Sequence, residues 1–212
     1  MALVSDLSNN ALGYFFQSVP KQSYRFEAED IDPHHQIRLN STDSDLVHCH
    51  RVPDRFEAFF ARSASGNQIA CLMIKPTETA KLTILFSHGG TVDLGHLANY
   101  LFTLGDRLGV NVFAYDYSGF GQSTGTPGSE GAVYADAETA FDWLLTRYHL
   151  TPEQVVLYGQ SLGTAPSLHL ATKFPTVAGL ILHSPFLSAA RLFFPKVASS
   201  KESSRLGDLF QK

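Results

Sequence analysis

VVLYGQSLGTAPS, residues 155–167, holds an apolar run, a glycine-framed serine and a helix-compatible continuation in thirteen positions. Val155 to Tyr158 is short and continuously apolar, as a strand covered on both faces requires. The run from Leu162 to Lys173 reads as a helix, because Pro166 falls near its start, where backbone N–H groups have no intrahelical acceptor. Between them Gly159-Gln160-Ser161-Leu162-Gly163 has the G-x-S-x-G pattern of a nucleophile elbow, a turn tight enough to need small residues on either side of its serine.

The same pattern recurs as Gly121-Gln122-Ser123-Thr124-Gly125. That copy lies in YSGFGQSTGTPGSEG, with no helix start before about Ser129, so Ser123 reads as a loop serine. The segment also fails as a dinucleotide fingerprint, since Thr124 stands where the third glycine is required, and there is no P-loop. No cofactor is expected.

Working outward, three more apolar runs resemble the one before the elbow: Leu82 to Phe86, Val110 to Tyr115 and Leu180 to Leu182. Leu94, Leu97, Leu101, Leu104 and Leu108 recur at helical spacing between the first two, with Gly109 at the expected end. Val133, Ala137, Ala140, Phe141, Leu144, Leu145 and Tyr148 form a second stripe, with Ser129 and Glu130 placed to cap it. RFEAFFARSASGNQIACLMIK, residues 55–75, reads as a hairpin around Ser65-Gly66-Asn67. Alternating strands and helices predict an α/β fold with a doubly wound, mostly parallel sheet and an antiparallel start. Residues 1–54 show no sustained period, with a loop expected over Asp30 to His50; residues 55–195 form the core, and 196–212 a polar tail.

Ser87-His88-Gly89-Gly90 directly follows the strand ending at Phe86. In an open α/β sheet that loop lies beside the elbow, at the C-terminal ends of the strands, where ligands bind. A backbone N–H from Gly90 or Thr91 can there join that of Leu162 in holding a developing oxyanion.

Composition narrows the partners. With 212 residues, 44% hydrophobic and 17% charged, the chain can bury the core of one domain. A net charge of −4 and scattered Lys and Arg offer no stripe to a phosphate backbone, so nucleic acid is not an expected partner. Two cysteines, Cys49 and Cys71, make neither a disulfide framework nor a four-cysteine zinc site. MALVSDLSNN lacks the basic start of a secretory signal and no apolar run is long enough to span a bilayer, so the expected location is cytoplasmic. His48-Cys49-His50, even with Asp43 or Asp45, matches no familiar zinc spacing, and no metal is expected.

FSHG (86–89), VDLG (92–95), YDYSG (115–119), YAD (134–136), GQSLGTAPS (159–167) and LHSP (182–185) together resemble the alpha/beta-hydrolase superfamily, and within it the alpha/beta-hydrolase domain-containing protein 17 group of palmitoyl-protein depalmitoylases. The likeness runs from about Arg55 to Pro195. It implies an alpha/beta-hydrolase fold missing its last strands and helices. It also implies that Ser161 attacks an acyl thioester on a protein cysteine, with Leu162 and Gly90 as oxyanion donors and Gly159, Gly163, His88, Gly89 and Asp116 as support. S-acylated proteins or other acyl esters would be the substrates. Tyr14, Phe15 and Phe16 are open to two readings, peripheral contact with a membrane and packing on the core, the commoner use of three aromatics. The group's cysteine-rich, lipidated N-terminus has no counterpart before Cys49.

The order in this fold is Ser, then Asp or Glu, then His. After Ser161 the sequence offers His169, on the surface of the following helix, and His183, whose LHSP counterpart is not the family's base. Glu202 and Asp208 lie in the unmatched tail, and Asp116, which ends a strand, reads as tying down its glycine loop. The expectation is a nucleophile without its base or acid, a loss worth about 10⁶-fold in turnover. Residues 1–212 alone should be poorly soluble and nearly inactive, with Leu180 to Leu182 on an unpaired edge. Two other readings are a non-catalytic binding protein on the same scaffold and a generic lipid esterase.

Overall fold

The computed structural model of the chain describes residues 19–27, 38–41 and 53–186, the second of these as backbone only. Six strands form one sheet: β3 (Phe56–Arg62), β4 (Gln68–Ile74), β5 (Thr83–Ser87), β6 (Asn111–Tyr115), β7 (Val155–Gln160) and β8 (Gly179–His183). Their order across the sheet is β3-β4-β6-β5-β7-β8. The β3–β4 hairpin and the β4–β6 pair are antiparallel, whereas β6, β5, β7 and β8 run parallel. The order reverses at β5, so β6 and β7 leave it on opposite sides. That is the switch point at which such sheets open a crevice beyond the strand ends.

Helices cover both faces. α1 (Leu94–Leu108) packs over Ile84, Phe86, Val112 and Ala114, while α2 (Glu130–Tyr148) and α3 (Thr164–Lys173) cover Leu85, Phe113, Tyr115 and Leu157. Neighbouring strand residues therefore enter different cores, which is why β5 is buried at all five positions and its sequence does not alternate. Gly109 ends α1 in the left-handed conformation at φ 65°. The leucine stripe of α1 leaves the core in its last turn, where Leu108 is 58% exposed. Ser129 is the N-cap position of α2, but its side chain makes no cap hydrogen bond; its carbonyl accepts from Ala132 and Val133 instead. The helix after the elbow begins at Thr164 rather than Leu162, because residues 161–163 make a tighter 3₁₀ turn first.

Within the segment expected to be irregular, β1 (Tyr24–Glu27) and β2 (Arg38–Ser41) pair antiparallel as a separate two-stranded sheet. Each strand has only four residues, too few to show a period, and β1 is fixed by long-range bonds that local sequence does not encode. At the other end β8 pairs with β7 and, among the described residues, closes the sheet as an edge. Leu180, Ile181 and Leu182 are 36%, 42% and 37% exposed there. Tyr14 to Phe16, His48 to His50, Asp43, Asp45, Glu202 and Asp208 lie outside the described residues. No helix among the described residues is long and apolar enough to cross a membrane.

Candidate active site

Parallel pairing sets Ser87 of β5 opposite Gly159 of β7, so the two strands end level and release their loops side by side. Two residues beyond Gly159, Ser161 takes φ 49°, in the left-handed region that a side chain with a Cβ adopts only at a cost of about 1–3 kcal/mol. The residue is half-buried, at the start of the 3₁₀ turn leading into α3. A Cβ on Gly163 would come 1.9 Å from the Ser87 carbonyl oxygen, and one on Gly159 would come 2.3 Å from that of Gly163. Both glycines are thus required by backbone packed against backbone, and the same packing brings the Leu162–Gly163 turn onto the loop after β5.

That loop passes beside the serine. A Cβ at Gly89 would lie 3.7 Å from Ser161 Cβ. Gly89 and Gly90 are buried, as is Leu162, whose side chain joins the α2–α3 core. The elbow and the glycine loop therefore meet at the carboxyl ends of β5 and β7, with the serine between them.

Beneath the loop lies a polar layer. His88 and Asp116 are both inaccessible, with His88 Nε2 3.1 Å from Asp116 Oδ1. The two atoms are close but not aligned for a hydrogen bond. Nδ1 of His88 lies 2.7 Å from the Gly89 carbonyl oxygen, and the Tyr117 hydroxyl donates to the carbonyl of His88 at 2.8 Å. Asp116 accepts from the Leu94 N–H at 3.1 Å, in the first turn of α1, and from the Tyr24 hydroxyl at 2.5 Å. Burial pushes the Asp116 carboxyl above the usual carboxylate range, against the lowering influence of His88 and Tyr24. Burial likewise raises the Tyr24 phenol, with the Asp116 charge adding to it.

Asp93, the N-cap of α1, accepts from the N–H of His96 at 3.2 Å and from that of Ser23 at 2.7 Å, so the segment before β1 is fastened to the same layer. Ser123, in the second G-x-S-x-G copy, is buried, accepts from Ala70 N–H at 2.9 Å and donates to the Asp116 carbonyl at 2.7 Å. Asp136, in the YAD segment, accepts from the Ser118 N–H at 2.7 Å and its hydroxyl at 2.9 Å.

Sequence reading did not anticipate Tyr24, Tyr117 and Asp93 as parts of this layer. Tyr24 and Asp116 are 92 positions apart, and no spacing rule joins them. The other described histidines contact groups other than the serine, although His183 lies level with Gln160, the residue before that serine. His96 bonds Asp93, His169 bonds Glu138 at 2.7 Å and stacks on Tyr134, His183 bonds the Tyr158 hydroxyl at 3.2 Å, and His149 caps α2. His169 is half-buried on the surface of α3 that faces Glu138 of α2.

Comparison with known proteins follows the same lines. The family described as "Serine aminopeptidase, S33" matches residues 78–211. Alpha/beta hydrolase domain-containing protein 17B of Homo sapiens is 42% identical over 176 residues, covering 83% of this chain and 60% of the relative. Protein 17C of Mus musculus is 43% identical over 152 residues, covering 72% and 47%. The chain thus spans about 60% or less of the length of these relatives. Among solved structures, an alpha-beta hydrolase from Vibrio vulnificus superposes with a TM-score of 0.63 at 19% identity, over 94% of this chain and 63% of that one. A Pyrococcus furiosus esterase gives 0.52 at 18% identity, over 62% and 52%. By family match, relatives and sheet order alike, the chain belongs to the alpha/beta-hydrolase superfamily, and within it is similar to the alpha/beta hydrolase domain-containing protein 17 group.

Proposed function

We propose that this sequence carries the nucleophile half of a serine hydrolase that cleaves acyl thioesters, removing palmitoyl groups from protein cysteines. The observation that carries the reading is Ser161, in the left-handed conformation where β7 turns into α3, beside the glycine loop that follows β5. Such a turn lifts a hydroxyl clear of the sheet and sets a backbone N–H next to it. Its Oγ attacks the thioester carbonyl and loses its proton to a base. The carbonyl oxygen takes the negative charge facing the N–H groups of Leu162 and Gly90, and collapse expels the cysteine thiolate, which takes up a proton. Water then cleaves the acyl-serine ester by the same route, releasing the fatty acid. The thioester class rests on the likeness to the depalmitoylase group; attack of Ser161 on an oxygen ester would follow the same steps.

A fluorophosphonate probe applied to the full-length native protein should label Ser161, and replacing Ser161 by Ala should abolish labelling without unfolding it. Absence of labelling, in a sample where other serine hydrolases react, would remove the proposal. One observation favours a second reading, a non-catalytic binding protein: none of the described histidines hydrogen-bonds Ser161, and His88, His96, His169 and His183 each contact another group. The labelling experiment separates the two, since a serine without a base reacts slowly. A cytoplasmic location and peripheral membrane contact belong to the same proposal, and fractionation of cells expressing the protein tests them.

A further inference from the structure

An oxyanion donor on a glycine loop works only if its peptide is held in one orientation, because glycines leave the peptides on either side free to swing. The structure contains a clamp for this peptide. The His88 side chain is inaccessible, and Nδ1 lies 2.7 Å from the carbonyl oxygen of Gly89. A carbonyl offers only lone pairs, so Nδ1 must carry a proton for the contact to attract.

The far side of the ring supplies the reason that it does. Nε2 faces Asp116 Oδ1 at 3.1 Å, whose carboxylate already accepts from the Leu94 N–H and the Tyr24 hydroxyl. Nε2 makes no aligned hydrogen bond with that oxygen, so nothing on the far side of the ring competes for the proton that Nδ1 needs to bond the Gly89 carbonyl. An uncharged ring protonated on Nε2 alone would turn its Nδ1 lone pair onto the Gly89 oxygen.

The Gly89–Gly90 peptide is planar and trans, as are all the described peptides, so its N–H points opposite to its C=O. We infer that His88 is a positioning residue: its Nδ1–H fixes the Gly89 carbonyl beneath the loop and thereby aims the Gly90 N–H outward, to the side on which Ser161 lies. Asp116 lies against the far side of the ring, and through Tyr24 the clamp is tied to the N-terminal strand. The consequence for chemistry rests on the hydrolase reading above; the clamp itself does not.

Two measurements test it. In ¹⁵N-labelled native protein, the ring spectrum of His88 should show a proton on Nδ1 at neutral pH; an unprotonated Nδ1 overturns the inference, whatever the protein's activity. The second is the rate of fluorophosphonate labelling of Ser161. His88→Leu should slow it about 10²–10³-fold, the usual cost of one lost oxyanion donor. His88→Asn, whose amide can reach the position of Nδ1, should recover most of that loss, and His88→Gln, which reaches the position of Nε2, should not. Equal labelling by the Leu variant and the unaltered protein would overturn the clamp, as would equal rescue by Asn and Gln. Failure of the unaltered protein to label counts against the hydrolase reading, and the ring spectrum then decides the clamp alone.

Discussion

At Ser161 the chain keeps a conformation that its own side chain opposes. A φ of 49° puts Cβ against the following carbonyl, a cost of about 1–3 kcal/mol that the surrounding fold must outweigh. What holds it there is contact between backbones: Gly163 against Ser87 and His88, Gly159 against Gly163 and Thr164. Ser161→Gly removes the conflict. The variant should therefore be more stable than the parent by about 1 kcal/mol, since the relief exceeds the roughly 0.4–1 kcal/mol that a glycine's added freedom in the unfolded chain takes back. Urea unfolding midpoints measure this. A loss of stability would show that the left-handed turn is unstrained and would weaken its reading as a turn maintained for chemistry. The same variant should be inert to fluorophosphonate, separating strain from reactivity in one molecule.

At the scale of elements, β1 and α1 converge on one polar layer. Tyr24 reaches Asp116 from β1, and Asp93 caps α1 while accepting from Ser23. Tyr24→Phe keeps the ring but leaves Asp116 Oδ2 without its donor and the Gln122 N–H without its acceptor. We expect a loss of about 1.5–3 kcal/mol, as for other hydrogen bonds to a buried charged group, read from the urea midpoint. Little of this was legible beforehand. β5, β6, β7, the β3–β4 hairpin and all three helices show in the sequence because each carries its own period or punctuation, such as Gly109 at the end of α1. Ser161, Gly159 and Gly163 show for a related reason: the turn imposes its residue types within five positions. Tyr24, Asp93 and Tyr117 do not, because their partners are brought near only by the completed sheet. β8 adds a different kind of element. Its residues are apolar and, among those described, it has a neighbour on one side only. Strands of this type associate unless charged. Ile181→Lys in the 212-residue chain should raise the soluble fraction and reduce light scattering, with little effect on the unfolding midpoint because Ile181 is already 42% exposed. Unchanged scattering would mean that this edge is covered.

Across the whole molecule, the antiparallel start of the sheet is joined to the helical layer by one ionic cluster. Glu57 of β3 accepts from Arg147 of α2 at 2.6 and 2.9 Å and from Lys75 at 3.1 Å, with Arg147 over the Phe59 ring and Lys75 over that of Tyr148. Burial alone would raise the Glu57 carboxyl, but the hydrogen bonds from Arg147 and the Lys75 charge outweigh it, and the group is held below its ordinary value of 4.5. A carboxyl depressed in the folded state binds its proton later than in the unfolded chain. Its contribution to stability is complete above the unfolded value and is lost as pH falls through the lowered folded value. Asp116 and Asp136 act oppositely. Burial holds both above 3.8, so the folded chain takes up their protons first, and they favour folding more as pH falls through the raised folded values toward 3.8. Acid unfolding of the unaltered protein therefore mixes contributions of both signs, and a single pH profile does not isolate the cluster. The difference between the parent and Glu57→Gln does, since Asp116 and Asp136 are common to both. At pH 7 the variant should have the lower urea midpoint; the gap should be constant down to about pH 5, narrow below 4.5, and close as pH falls through the lowered folded value. A gap that does not narrow as pH falls below 4.5 would assign the loss to packing around Arg147 and Phe59 rather than to the charge on Glu57, and the link between sheet and helix would then be a matter of shape.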